Sequence, residues 1–192
     1  MFPDTSVLFP MSVFDLLMRM TEIGVHEILW SEDLLAELER VWERERAAGR
    51  RVPSAGAAQA AFAGVRATFP DGEVLPADYR HMAEQMPGDD PDDRLHTAAA
   101  VAGGATHLLT NDDAGFPADR IAELGPIVLP PDAYLAAAVD QFPDDMTDIV
   151  RAMVEHRRRH EPDLDVDILL RRWYRHGLTA LARALRHTPP AR

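Results

Sequence analysis

Four acidic side chains could act together although they come from four separate segments: Asp4, Glu37, Asp93 and Asp112. Asp4 stands beside the first apolar run, "TSVLF". Asp93 lies near the start of "DDRLHTAAAVAGG", and Asp112 directly follows "THLLT". On a helical wheel of "SEDLLAELERVWERERAAG", Glu37 borders the apolar stripe of Leu34, Leu35, Leu38, Val41 and Trp42, whereas Glu39 and Glu43 point away from it. Bringing such carboxylates together without a cation is costly, because two unit charges about 4 Å apart repel by roughly 4 kcal/mol at an effective dielectric near 20. A divalent ion removes the objection. Hard oxygen ligands with no cysteine and no clustered histidine suit Mg²⁺ or Mn²⁺, which keep waters able to attack a phosphodiester.

Each acid also has a plainer reading. Acids are 32 of the 192 residues, so any one of them can be a cap or a solvated surface group. Asp92 and Asp113 adjoin two of the four and compete for the same roles. His96, one turn beyond Asp93, could contact phosphate or donate a proton, but the reading preferred for it is packing or a place on the helix surface. His156 and His160 have the i, i+4 spacing of a metal pair, yet the polar run "HRRRH" reads as a solvated face.

Positioning these acids requires alternating strands and helices. "TSVLF" (Thr5 to Phe9) is expected as a short buried strand, followed by a helix over "SVFDLLMRMTEIG". A second helix opens at Ser31 as N-cap, and an Ala-rich helix, "SAGAAQAAFAGVRATFP", closes at Pro70. "DGEVLP" could hold a very short strand. "DDRLHTAAAVAGG" reads as a helix whose small residues let it lie close to a sheet, and "THLLT" and "GPIVLPP" read as strands with a short helix between them. This alternation predicts a parallel sheet with helices on both faces, in which loop residues converge beyond the carboxyl ends of the strands. After Pro131 the pattern is helical throughout, giving two expected regions: residues 1–131 and an all-α extension over 132–192.

Composition narrows the setting. The chain is 46% hydrophobic, enough for a sizeable core, and the absence of cysteine suits a reducing cytoplasm. No basic, apolar leader and no run of about 18 apolar residues is visible, so neither export nor membrane insertion is expected. The net charge of −12 argues against wholesale nucleic-acid binding, but it is uneven. From Arg151 to Arg192 ten Arg face five acids, a balance of +5, which leaves −17 for residues 1–150. Every basic residue is Arg, whose fork matches phosphate.

The order "DTSVLF", "SEDLLAELERVW", "DPDDRLHTAAAVAGGATHLLTNDDAGFP" resembles PIN-domain ribonucleases, specifically the VapC-type toxins of bacterial toxin–antitoxin pairs. The resemblance covers about residues 1–131, and its last segment is the most specific part. It implies a three-layer α/β/α PIN-like domain with a parallel sheet of about four to five strands. It carries the family's acidic positions onto Asp4, Glu37, Asp93 and Asp112 as catalytic metal ligands, and its supporting polar positions onto Thr5, Ser6 and Thr110. It further implies Mg²⁺- or Mn²⁺-dependent cleavage of RNA by an activated water, inhibition by a small cognate antitoxin, and frequent homodimerisation. Ser6 stands where Asn is common in the family, and Gly115 where many relatives have Asp. Two rivals remain. One is a PIN-like module without catalysis that binds protein or RNA, supported by Pro3, which cannot donate to a sheet ladder. The other, a doubly wound phosphohydrolase with Asp4 as nucleophile, usually wants a second Asp where Ser6 stands.

Overall fold

A computed structural model describes residues 1–187. The chain divides into two compact units: Met1–Phe14 with His26–Leu129, and Asp15–Val25 with the chain from Pro130 onward.

The first unit is built on a small sheet of three strands, β1 (Phe2–Pro3), β2 (His107–Leu109) and β3 (Ile127–Leu129), all parallel and in the order β1-β2-β3. Phe2 pairs with Leu108 and Pro3 with Leu109, and the next residue, Asp4, donates its N–H to Leu109 O at 2.8 Å. Pro3 is tolerated because β1 is an edge strand in this order. Parallel strands end on one side, so Asp4 after β1 and Thr110 after β2 leave the sheet at a common edge. The expectation of four to five strands is corrected to three among the described residues. "DGEVLP" supplies only an isolated parallel bridge, Trp30 to Glu73.

A second correction concerns the first apolar run. Thr5–Leu8 is a helical turn, α1, not a strand. Asp4 caps it: its carboxylate accepts the Ser6 N–H at 3.1 Å, and its carbonyl accepts the Val7 N–H at 3.0 Å. The run is buried in either conformation, and so short an apolar stretch carries too little periodicity to tell a helix from a strand.

The remaining helices of this unit follow their local signals. α2 (Met11–Glu22) starts here and runs on into the second unit. α3 (Glu32–Ala47) is capped by Ser31, whose hydroxyl accepts the Leu34 N–H, and buries Leu34, Leu35, Leu38 and Trp42. α4 (Ala55–Thr68) sends Phe62 to stack on Trp42 at 5.4 Å between ring centroids and 7° between planes. The short α5 (Pro76–Tyr79) precedes α6 (Pro91–Ala102). The N-cap of α6 is Asp90, so Asp93 lies inside the first turn and does not cap it. Ala98, Ala99 and Ala100 are completely buried, and Gly103 packs so tightly that a Cβ there would lie 2.6 Å from Val74. α7 (Ala118–Ala122) joins β2 to β3.

The second unit's chain after Pro130 is all helical among the described residues: α8 (Pro131–Gln141), α9 (Pro143–Arg157), α10 (Val166–Arg175) and α11 (Thr179–His187). The final helical pattern in the sequence is divided into α10 and α11 at Gly177, which takes φ +89°, a backbone region that L side chains rarely enter. Leu135, Met146, Met153, Leu169, Trp173 and Leu181 form its core. From α8, Asp132 caps α11, accepting the N–H groups of Ala180 and Leu181 at 2.9 Å each.

Candidate functional site

Asp4 is carried to the sheet edge by β1 and held there by α1. It is 5% exposed, a costly place for a carboxylate without partners. Its partners are close: Oδ2 accepts the Ser6 N–H and the Thr110 hydroxyl (3.2 Å), while Oδ1 lies 3.2 Å from Nδ1 of His96. Glu37, in α3, accepts the Thr5 hydroxyl at 2.7 Å and lies 3.0 Å from His96 Nε2. Thr5 therefore anchors Glu37, and Thr110 anchors Asp4. Thr110 also accepts the N–H of Asp112 at 2.9 Å, linking Asp4 to the loop after β2. Ser6 ties to the same loop through its hydroxyl, which accepts the Asn111 N–H at 3.1 Å.

His96 lies between two carboxylates, one at each ring nitrogen. Ionised carboxylates only accept, so both nitrogens donate and the ring is an imidazolium. Burial by itself disfavours that charge, but the hydrogen bonds and negative charge of Asp4 and Glu37 outweigh it and raise the pKa to about 9. Reciprocally, burial pushes the Asp4 and Glu37 carboxyls up, and His96 with the neighbouring donors brings both below their usual values.

Asp93 has no such relief. Burial raises its pKa, and the charges of Asp4, Asp90 and Asp112 raise it further, to about 6, against a partial offset from His96. Asp112 is more exposed, and its Oδ1 accepts the N–H groups of Ala114 and Gly115 at 3.0 Å each. The other oxygen of Asp112 and Oδ2 of Asp93 converge on Gly115. A methyl group there would fall 2.9 Å from Asp112 Oδ2 and would clash with Asp93 Oδ2. The four acids thus form two linked clusters, Asp4–Glu37 around His96 and Asp93–Asp112 around Gly115, with the charge of Asp4 felt at Asp93. Asp92 stands apart, paired weakly with Arg40 at 3.4 Å, and Asp113 is exposed. His156 and His160 are both exposed.

A divalent cation fits this donor set. Carboxylate oxygens of Asp4 and Glu37 lie within 4.8 Å of one another, so both can reach one ion, while the His96 ring, donating from both nitrogens, holds them and supplies no ligand. At Asp93 the charges of Asp4, Asp90 and Asp112, which add to burial in raising its pKa, are what a hard cation would relieve. His96 is the participant for which the sequence suggested packing. Its signal was present: it lies three residues after Asp93 in α6, and so on the same helix face.

Beside the cluster a cleft of about 380 Å³ opens between α3 and α6, lined among others by Asp33, Arg40, Arg80 and His96. Asp33 is fixed at its rim by the Tyr79 hydroxyl at 2.6 Å and by Arg80, and the Arg80 guanidinium holds its carboxyl below the usual range.

A PIN-domain family model matches residues 4–114, more than half of the chain and a span that includes all four acids. The chain belongs to the PIN-domain family. PIN domains are generally metal-dependent nucleases that act on RNA, with an α/β fold consistent with the parallel sheet seen here. No curated protein and no solved structure matches the chain. Among the described residues no helix of this PIN protein is long and apolar enough to cross a membrane.

Proposed function

We propose that this PIN protein is a metal-dependent endoribonuclease acting in the cytoplasm as the toxin of a type II toxin–antitoxin pair. The observation that carries the nuclease reading is the convergence of the Asp93 and Asp112 oxygens on Gly115, with Asp93 raised to about 6 by burial and its acidic neighbours. In this reading Asp4, Glu37, Asp93 and Asp112 hold one or two Mg²⁺ or Mn²⁺ ions. Such an ion supplies Lewis acidity toward a phosphodiester and an attacking water. Thr110 and Ser6 fix the Asp4 carboxylate, Thr5 fixes Glu37, and His96 locks the two carboxylates in place, so the donors are oriented before substrate arrives. RNA enters from the side of Asp112, the exposed member of the four. The toxin assignment, with a small antitoxin covering the acidic site and with homodimerisation, rests on the resemblance to VapC-type proteins.

The test is cleavage of single-stranded RNA with and without Mn²⁺. Wild type should cut only with metal, and Asp93→Asn should not cut while keeping its fold by circular dichroism; equal cleavage by the variant rules the assignment out. Growth arrest on expression of wild type but not of Asp93→Asn would support the toxin role. A second reading, a binding module without catalysis, is favoured by one observation: the His96 imidazolium already supplies positive charge between Asp4 and Glu37. Calorimetry that finds no Mg²⁺ or Mn²⁺ binding would select it.

A further inference from the structure

We infer that the α10–α11 helix pair is an RNA-backbone binding surface, separate from the acidic cluster. In a chain with 32 acids, residues 168–187 contain none, and they carry five Arg and two His. One of the five, Arg172, is ion-paired, with Glu161 at 2.7 Å. Arg171, Arg175, Arg183 and Arg186 have no carboxylate partner among the described residues, and none of these four side chains is buried.

The four follow helical spacing. Arg171 and Arg175 lie on one face of α10 with Tyr174 between them, and Tyr174 is 45% exposed. Arg183, Arg186 and His187 lie on the outer face of α11. The opposite faces hold Leu169, Leu170, Trp173 and Leu181, all at most 2% exposed. The two helices pack on each other across the turn at Gly177, so both Arg groups belong to one helix pair.

That arrangement selects the partner. A membrane-surface helix must sink its apolar face into lipid, and here those faces are already consumed in the unit's core. Guanidinium groups without a carboxylate partner offer donors to phosphate oxygens, although Arg175 Nε already donates to the Arg171 carbonyl at 3.3 Å, and an exposed tyrosine among them can stack on an unpaired base. An Arg cluster whose one acid on these two helices is Asp167, a turn before Arg171 at the start of α10, fits a polyanion with regularly spaced charge in an otherwise acidic protein.

The experiment uses the full chain in excess EDTA, so that no metal recruits RNA to the acidic cluster, and a labelled single-stranded RNA of about 20 nucleotides followed by anisotropy at several salt concentrations. Wild type should bind, and the combined variant Arg171→Gln, Arg175→Gln, Arg183→Gln, Arg186→Gln should bind at least about tenfold more weakly at low salt. The salt slope should fall by about 3, at roughly 0.7 for each phosphate no longer neutralised. Replacement of the four by Lys, which keeps the charge, should retain most of the affinity. Unchanged binding by the Gln variant, with its melting curve also unchanged, overturns the inference. Equal affinity for a poly-glutamate of matched charge overturns it in favour of an acidic protein partner, and equal affinity for DNA of the same sequence overturns the assignment to RNA. Wild type that fails to bind in EDTA but cleaves RNA with Mn²⁺ would refute this surface and leave the nuclease reading standing; binding without cleavage would do the reverse.

Discussion

His96 is the residue whose environment departs furthest from what its sequence neighbours suggest. Its folded pKa of about 9 lies above the ordinary value of 6.5, so the imidazolium favours the folded state. The corresponding stability is fully present below pH 6.5 and is lost as pH rises from 6.5 through about 9. Its scale is on the order of 3 kcal/mol at about 1.36 kcal/mol per pKa unit. The lowered Asp4 and Glu37 carboxyls lose their contribution only in acid, and the raised Asp93 costs stability as pH climbs from 3.8 through about 6, so neither obscures the alkaline window. Urea unfolding in EDTA at about pH 6 and about pH 9.5 should show wild type losing stability at the higher pH and His96→Gln losing much less; identical curves for wild type at both values would remove the imidazolium. Gly115 offers a second residue-scale check. Its φ is not positive, so Ala is permitted by the backbone, but the added methyl would push the Asp93 and Asp112 carboxylates off their meeting point. Gly115→Ala should weaken Mn²⁺ binding by about tenfold or more, read by calorimetry, with little change in metal-free melting.

At the scale of elements, short pieces of chain hold the site only because each is fastened to the next. β1 is two residues long and cannot hold Asp4 alone, but α1 begins at once and uses Asp4 as its cap, so one carboxylate serves the helix and the site together. In the second unit Asp132 plays a purely structural part, accepting from Thr179, Ala180 and Leu181 at the start of α11. Asp132→Ala leaves those donors without an acceptor and should cost about 1–2 kcal/mol by denaturant unfolding, and Asp132→Asn should recover part of it. Equal stability of the Ala variant would mean that water satisfies the helix end as well.

For the whole molecule, charge is the organising quantity. A net −12 is distributed so that carboxylates from distant segments meet at the sheet edge of the first unit, while unpaired Arg gathers in α10 and α11. A ligand that binds only the folded state stabilises the chain by mass action, about 2.7 kcal/mol at roughly a hundredfold excess over its Kd. Mn²⁺ should therefore raise the melting temperature of wild type by several degrees and leave an Asp93→Asn, Asp112→Asn double variant unmoved. A rise of the same size in the double variant would place the ion elsewhere.

The sequence by itself carried the helices with strong periodicity and explicit caps, such as Ser31 before α3, because those signals are local and repeat over several turns. It also carried the two strands β2 and β3, whose apolar runs are bounded by turn residues, and the family, through the spacing from Asp93 to Asp112. It pointed wrongly to a strand for Thr5–Phe9, where Thr5–Leu8 is a helical turn, since burial on nearly every side erases periodicity in so short a run. Nor could it place His96 between Asp4 and Glu37, which lie far from it along the chain. Only the tertiary structure decides such an arrangement, because the energy of a buried charge depends on partners that folding brings within hydrogen-bonding distance and that no local pattern encodes.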